Sequence, residues 1–322
     1  MKLAWPFLFG YLLDLLLGDP PHWPHPIRLL GRVIDYWEEV LYRSRVAAGA
    51  LFWLAVMGTT LALVLGILGA AVFLPAVAGS ALLTYFLYAG FATRSLHYES
   101  RRVEDALARG NHSLARKRLA RIVGRETAHL HPEEIRRAVL ETVAENLVDG
   151  VVAPMFFTLL LGLPGLFLYK AANTMDSMVG YKTYRYGKFG KMAARADDLL
   201  NFLPARLTAL LMVLAAGVVG LDPRGVWRIL RRDAGNASSP NAGWPEAAMA
   251  GALGVQLGGP STYFGQVVNK PCLGDPGTPL TAAHYRQAVR VLYATSLLMA
   301  GLTFSALYLT QAGAWGLLGL VR

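Results

Sequence analysis

Between Val151 and Tyr169 the chain reads VVAPMFFTLLLGLPGLFLY, an apolar run with Gly162, Pro164 and Gly165 at its centre and a dense polar cluster against each end. Few folds accommodate that arrangement. Glycine and proline interrupt a helix, and each half of the run falls short of the ~20 apolar residues needed to cross a bilayer. One kinked crossing would leave the two polar clusters on opposite sides of the membrane. A re-entrant hairpin leaves them on the same side and keeps its irregular backbone inside protein, where lipid cannot strip it of partners. The spacing therefore predicts a hairpin that returns at Gly162-Leu163-Pro164-Gly165.

The rest of the chain fits a membrane setting. Hydrophobic residues make up 54% and charged residues 16%, against about 25% charged in an average soluble protein. Long apolar runs at 47–74 and 289–321 can each span a bilayer, 76–92 and 247–259 are shorter, and 3–18 and 207–221 are marginal. The expected class is all-α and polytopic, one membrane-embedded unit over residues 1–322 with polar helical loops. Lys2 ahead of an apolar stretch resembles a secretory leader, but Asp14 within it and the lack of a small-x-small cleavage site predict a retained first helix. The net charge of +10 resides in the hydrophilic loops, which predicts that they face the cytoplasm. Nucleic acid is not expected as a partner, because the segment 94–150 mixes acids among its arginines. The single cysteine, Cys272, allows no internal disulfide.

The first polar cluster stacks Glu141, Glu145 and Asp149 at i, i+4 and i+8, a face that repels itself unless cations intervene; a solvated face with Arg137 paired to Glu141 would explain it equally. The second sets Lys170, Asn173, Asp176 and Ser177 at helical spacing beside Ala171 and Ala172. Ionisable groups at the edge of an apolar segment must snorkel, pair or line a polar cavity, so this cluster is the stronger functional candidate. Further on, Asp197 and Asp198 precede Asn201 by one helical turn, while Lys182, Arg185, Lys188, Lys191 and Arg206 supply positive charge. Gly180 to Phe189 is no P-loop, since its glycines are too far apart and Phe189 stands where a hydroxyl would bind magnesium. Neither His22/His25 nor His129/His131 has zinc-site spacing.

Within 94–150, residues 101–109 and 113–123 carry apolar positions at helical steps, with Gly110-Asn111 as the break. His131-Pro132 starts another helix with Glu133 and Glu134 in its first turn. Near the N-terminus Asp19-Pro20 and His25-Pro26 frame a stiff loop ending at Arg28, and Asp14 is expected to face a polar cavity rather than lipid. Ser239, Pro240 and Asn241 precede Pro245 and Glu246, a combination that also reads as a simple helix start. The Gly- and Ala-rich helix that follows permits close backbone packing.

Taken together, DLLLGDPPHWPHPIRLLGRVI, ETVAENLVDGVVAP with YKAANTMDSMVGYK and DDLLNFLPARLTA, and SPNAGWPEAAMAGALGVQLGG resemble the adenosylcobinamide-phosphate synthase family of cobalamin biosynthesis, known as CobD or CbiB. Order, spacing and hydropathy agree over nearly the whole chain. The resemblance implies a multi-pass protein of the inner (cytoplasmic) membrane, its active site facing the cytoplasm. It implies ATP-driven amide formation between adenosylcobyric acid and aminopropanol phosphate, with other corrinoid-pathway membrane enzymes as partners. One departure is Ala237, where the family commonly carries a histidine; His25, His97 or another polar group would take over any role it has.

That chemistry gives the polar residues expected roles. A carboxylate must be activated before an amine attacks it, most simply as an acyl phosphate made with ATP and Mg2+. Magnesium favours one or two carboxylates plus phosphate oxygens. Asp176, Asp197 and Asp198 are the expected metal set, with Glu145 and Asp149 as the alternative. Glu145, Asp149, Lys170 and Asp176 are the expected catalytic groups. Asp14, Asp19, His25, Arg28, Asn173, Ser177, Lys182, Arg206, Ser239, Asn241 and Glu246 are expected to bind substrates, with Arg28, Lys170, Lys182 and Arg206 as candidate phosphate grips. Two readings of other classes compete, a noncatalytic membrane sensor like the AmpE proteins and a transporter built on broken helices.

Overall fold

The computed structural model describes residues 3–20, 23–181, 183–263 and 265–318, with side chains as far as Gln311. His22 and Lys182 lie outside the described residues. The helices run, in chain order, α1 (Ala4–Leu17), α2 (Pro26–Leu41), α3 (Val46–Phe73), α4 (Ala76–Tyr88), α5 (Thr93–Ala108), α6 (His112–Leu119) and α7 (Pro132–Leu147). A π-helical turn, Val148–Val152, leads into α8 (Ala153–Val179). Then come α9 (Tyr186–Phe189), α10 (Lys191–Leu200), α11 (Phe202–Val218), α12 (Pro223–Asp233), α13 (Gly243–Leu253) and α14 (Ala282–Leu318). Among the described residues the only strands are two short antiparallel pairs, β1 (Leu257–Gly258) with β4 (Cys272–Leu273) and β2 (Ser261–Tyr263) with β3 (Gln266–Val268).

Four stretches are long and apolar enough to cross a membrane: Val46–Phe73, Ala76–Ala108, Pro132–Val179 and Ala282–Gln311. Helix α3 is apolar all round, and only 22% of its most apolar window is buried, so Leu51, Leu54, Leu61 and Leu65 present a surface suited to lipid. The run 3–18 yields a helix of only 14 residues. Helices α10 and α11 would make a fifth span if their 42° bend is crossed as one.

Pro132–Val179, in contrast, is not one straight path. Gly162 has φ 65° and ψ −146°, a backbone conformation essentially reserved for glycine. The rings of Phe157 and Tyr169 stack with centroids 5.1 Å apart, whereas twelve residues of straight helix would separate them by about 18 Å. The run therefore folds back on itself, as the sequence predicts. Pro164 falls in the first turn of the returning arm, where its missing N–H costs little. A Cβ on Gly165 would sit 2.2 Å from the Phe157 carbonyl oxygen, so only glycine allows the two arms to close this tightly.

Contacts divide the chain into two compact units that interleave along the sequence. The first comprises 1–92, 153–201 and 300–322, the second 93–152 and 202–299. In the first, Leu30 and Ile34 of α2, Phe52 and Val56 of α3, and Met175 and Val179 of α8 build one core with Phe189. Gly49 lets α3 approach, since a Cβ there would meet the Phe189 carbonyl oxygen at 1.9 Å. Glu38 ties α2 to the segment after α8, accepting from Arg185 at 2.8 Å and from the Tyr186 hydroxyl at 2.9 Å.

In the second unit the polar segment after Thr93 is helical, as its periodicity predicts. Asn111 caps α6 by accepting from the Leu114 N–H, and α7 opens at His131-Pro132 with Glu133 and Glu134 in its first turn. Glu104 receives Arg136 through both oxygens, at 2.9 to 3.3 Å. Helices α12 and α13 pack closely at Gly251, where a Cβ would come within 2.7 Å of the Val226 Cα. This is the close backbone approach expected of the Gly/Ala-rich helix.

Candidate functional site

In the first unit, Asp19, His25, Arg28 and Lys170 line one cavity of about 290 Å3, closed by the backbone turn Ala89 to Ala92 that follows α4. The prolines explain the loop that brings three of them together. Pro26 starts α2, and His25 caps it, Nδ1 accepting from the Ile27 N–H at 3.3 Å. That bond leaves the proton on Nε2, which donates to Asp19 Oδ1 at 2.9 Å. Arg28 is anchored on the Pro20 carbonyl at 3.2 Å. Tyr88 donates to the Gly18 carbonyl, within electrostatic range of Asp14 and Asp19. Asp14 is fully buried, facing protein rather than lipid.

Lys170 reaches this cavity from the returning arm of the hairpin, one face of which carries a second network. Asn173 and Asn201 each donate to Asp197, at 3.1 Å to Oδ1 and 3.1 Å to Oδ2, and the Tyr169 hydroxyl donates to Asn201 at 2.9 Å. Asp197 thus joins α8 to α10 through Oδ1 and holds Asn201 at the end of α10 through Oδ2. Asp198 beside it is exposed, and Asp176 lies against Gly180 at the end of α8. Ser177 turns back onto the carbonyls of Asn173 and Thr174. Among the described residues no three His, Cys, Asp or Glu side chains converge as metal ligands. Asp176, Asp197 and Asp198 therefore do not form a three-carboxylate centre. The set still fits a magnesium ion carried on phosphate, which needs only one or two protein carboxylates.

The second unit holds a separate charged cluster. Glu141 pairs with Arg125, N to O 2.5 Å, and accepts the Gly258 N–H at 2.7 Å. Arg137 binds Glu134 instead, at 3.8 Å, so the expected i, i+4 partner is not the one used. Glu246 on α13 is 8% exposed, and its charge faces Glu141, Glu145, Lys270 and Arg125. Burial, reinforced by the two other carboxylates, pushes its pKa up to about 8. Glu145 is exposed at the edge of the cluster, within electrostatic range of Lys270, Arg125 and Glu141. Asp149 leaves the helical register of Glu141 and Glu145 because the chain passes into the wider π turn.

The remaining candidates of this unit have structural tasks. Arg206 stacks between Phe202 and Trp244, 3.5 and 4.6 Å from their ring centroids. Ser239 accepts the N–H groups of Asn241 and Ala242, fixing the turn before α13, and Asn241 is buried beside it. Ala237 packs on Gly243, and His97 bonds Tyr293 at 3.0 Å. Arg125, Tyr263 and Lys270 escape a reading of the sequence. Arg125 lies in a segment of mixed charge and Lys270 in a turn-rich loop, and only tertiary folding brings them to Glu141 and Glu246.

Fold and site together define an α-helical, multi-pass membrane protein with buried charged sites. A family model described as CobD/Cbib protein matches residues 7–292. The cobalamin biosynthesis protein CobD of Geobacter metallireducens is 49% identical, over 91% of this chain and 93% of its own length. Cobalamin biosynthesis protein CbiB of Salmonella typhimurium is 42% identical over 94% and 97%, and CobD of Klebsiella pneumoniae 42% identical over 95% and 97%. No solved structure matches. The chain belongs to the CobD/CbiB family.

Proposed function

We propose that this protein is an adenosylcobinamide-phosphate synthase. It joins the carboxylate of adenosylcobyric acid to the amine of (R)-1-aminopropan-2-ol phosphate in an ATP-dependent amide ligation. The observation that carries the reading is likeness over nearly the full chain to proteins named for cobalamin biosynthesis. The site chemistry supports it. Arg28 and Lys170 on one cavity offer the paired cations that a phosphate or a transferring phosphoryl group requires. Asp19 holds His25 in one tautomer and orientation, which suits proton transfer in that cavity.

Asp176 and Asp198 would hold magnesium carried on ATP, which would neutralise phosphate charge and assist formation of the acyl phosphate. Asp197 acts beside them by positioning Asn173 and α10. The basic charge of the polar loops supports a cytoplasmic side of the inner membrane for this chemistry, within reach of soluble ATP and corrinoid. Detergent-purified protein given ATP, Mg2+, adenosylcobyric acid and the amino-alcohol phosphate will yield adenosylcobinamide phosphate by mass spectrometry. Folded protein that makes no corrinoid amide with any amino-alcohol phosphate overturns the proposal.

A further inference from the structure

In the second unit, Glu246 stands out as a buried acid with no one to hold it. It is 8% exposed, and its carboxyl has neither a hydrogen bond nor an ion pair among the described residues. Glu145, which lines the same cluster, also accepts no hydrogen bond from them. Glu141 is fully engaged with Arg125 and the Gly258 N–H. Lys270 leans over the Tyr263 ring, 5.3 Å from its centroid. Three acids thus face two cations, Arg125 and Lys270, and the uncompensated one, Glu246, keeps its proton where hydrogen-bond donors are missing. A buried carboxylate in that condition calls for a cation that also donates hydrogen bonds. The acids do not converge as metal ligands. A primary ammonium, compact and with three N–H donors, satisfies both requirements.

We infer that Glu246, with Glu145 at the open edge, forms the subsite that holds the ammonium group of the amine substrate, and that Glu246 is its proton acceptor. This rests on the amide-forming reading above. On binding, the ammonium supplies the positive charge that an ionised Glu246 needs, and Glu246 gives up its own proton to water. In the reaction one N–H proton passes to the Glu246 carboxylate, the freed lone pair forms the C–N bond at the acyl phosphate carbon, and the second N–H proton lost is taken by the departing phosphate. Phosphate departs with the C–O electron pair.

The test is calorimetric binding to full-length protein in detergent of 1-aminopropan-2-ol phosphate and of propane-1,2-diol phosphate, in which a hydroxyl replaces the amine. Wild-type protein will bind the amine at least ~10-fold tighter, and Glu246→Gln will erase that preference while leaving the diol phosphate unchanged. Titrations in buffers of different ionisation enthalpy at pH 7 will show proton release with the amine and none with the diol phosphate, a readout that needs no variant. Equal affinity for the two ligands, no proton release, or a Glu246→Gln protein that keeps the preference overturns the subsite. Wild-type protein that discriminates through Glu246 but makes no amide overturns the function and leaves the subsite. Amide formation at the wild-type rate by Glu246→Gln does the reverse.

Discussion

The Arg125–Glu141 pair provides a quantitative test of how the second unit is held together. Its side chains are 10% and 4% exposed, with N to O 2.5 Å. Replacing Arg125 with Met removes the cation but leaves Glu141 buried, its one remaining partner the Gly258 N–H at 2.7 Å. Breaking a buried pair on one side costs roughly 3–5 kcal/mol, because the stranded charge keeps its desolvation penalty. Against a typical total of about 5–15 kcal/mol that is a large fraction. For a unit of this size it corresponds to a fall on the order of 10 °C in melting temperature. Removing the second charge as well should return much of the loss. Arg125→Met with Glu141→Gln leaves no stranded charge and keeps an oxygen for the Gly258 N–H, so the double variant will lie only about 1–2 kcal/mol below wild type. Thermal unfolding in detergent, followed for wild type, both single variants and the double variant, gives the coupling energy, expected at about 2 kcal/mol or more. Equal melting temperatures for Arg125→Met and the double variant would refute the reasoning, since Glu141 would then be compensated by something other than Arg125.

Other expectations follow from the same geometry. A Phe157→Cys, Tyr169→Cys pair in a Cys272→Ser background will be bridged by a short bifunctional thiol reagent, because the parent rings lie 5.1 Å apart; a straight helix would hold the pair about 18 Å apart and unbridged. Gly190→Ala will reduce the yield of folded protein, its Cβ meeting the Val179 carbonyl oxygen at 1.8 Å, while Gly187→Ala, with nothing within 4 Å, will be neutral by the same assay. Asp176→Asn and Asp198→Asn will each lower amide synthesis about 100-fold or more with unchanged melting temperature; near wild-type rates for both at saturating magnesium would refute their part in holding the metal. Burial raises the Glu246 pKa from 4.5 to about 8, so the folded state holds a proton the unfolded state has lost. Its contribution to stability is complete below pH 4.5 and disappears as pH rises towards 8. Melting temperature against pH will fall across that window, and Glu246→Gln will flatten the fall.

The sequence discloses those parts of the fold that local chemistry determines. Gly162, Pro164 and Gly165 reveal the hairpin because backbone conformation and the length of apolar run needed to span a bilayer are properties of short segments. Asn111 and His131-Pro132 reveal helix starts for a similar reason, since a cap acts within one turn. The loop from Asp19 to Arg28 belongs with them, its prolines limiting the paths that could bring Asp19, His25 and Arg28 to one cavity.

Partnerships between distant segments are a different matter. Asp197 reads as a metal ligand from its neighbours Asp198 and Asn201, and nothing in that spacing discloses Asn173, twenty-four positions earlier, which donates to its Oδ1. Arg137 sits at the helical spacing to neutralise Glu141, yet Arg125 does so from outside the helix, and Arg137 turns to Glu134. In both cases several pairings are compatible with the local spacing, and the choice among them is made by burial, which only the folded chain defines. The same reasoning separates Glu246 from an ordinary first-turn acid. At the start of α13 its sequence context explains it completely as a favourable helix residue. Its burial against Glu141 and Glu145, with no donor of its own, is a cost that helix stability alone would not retain, and that cost is the physical argument for a ligand.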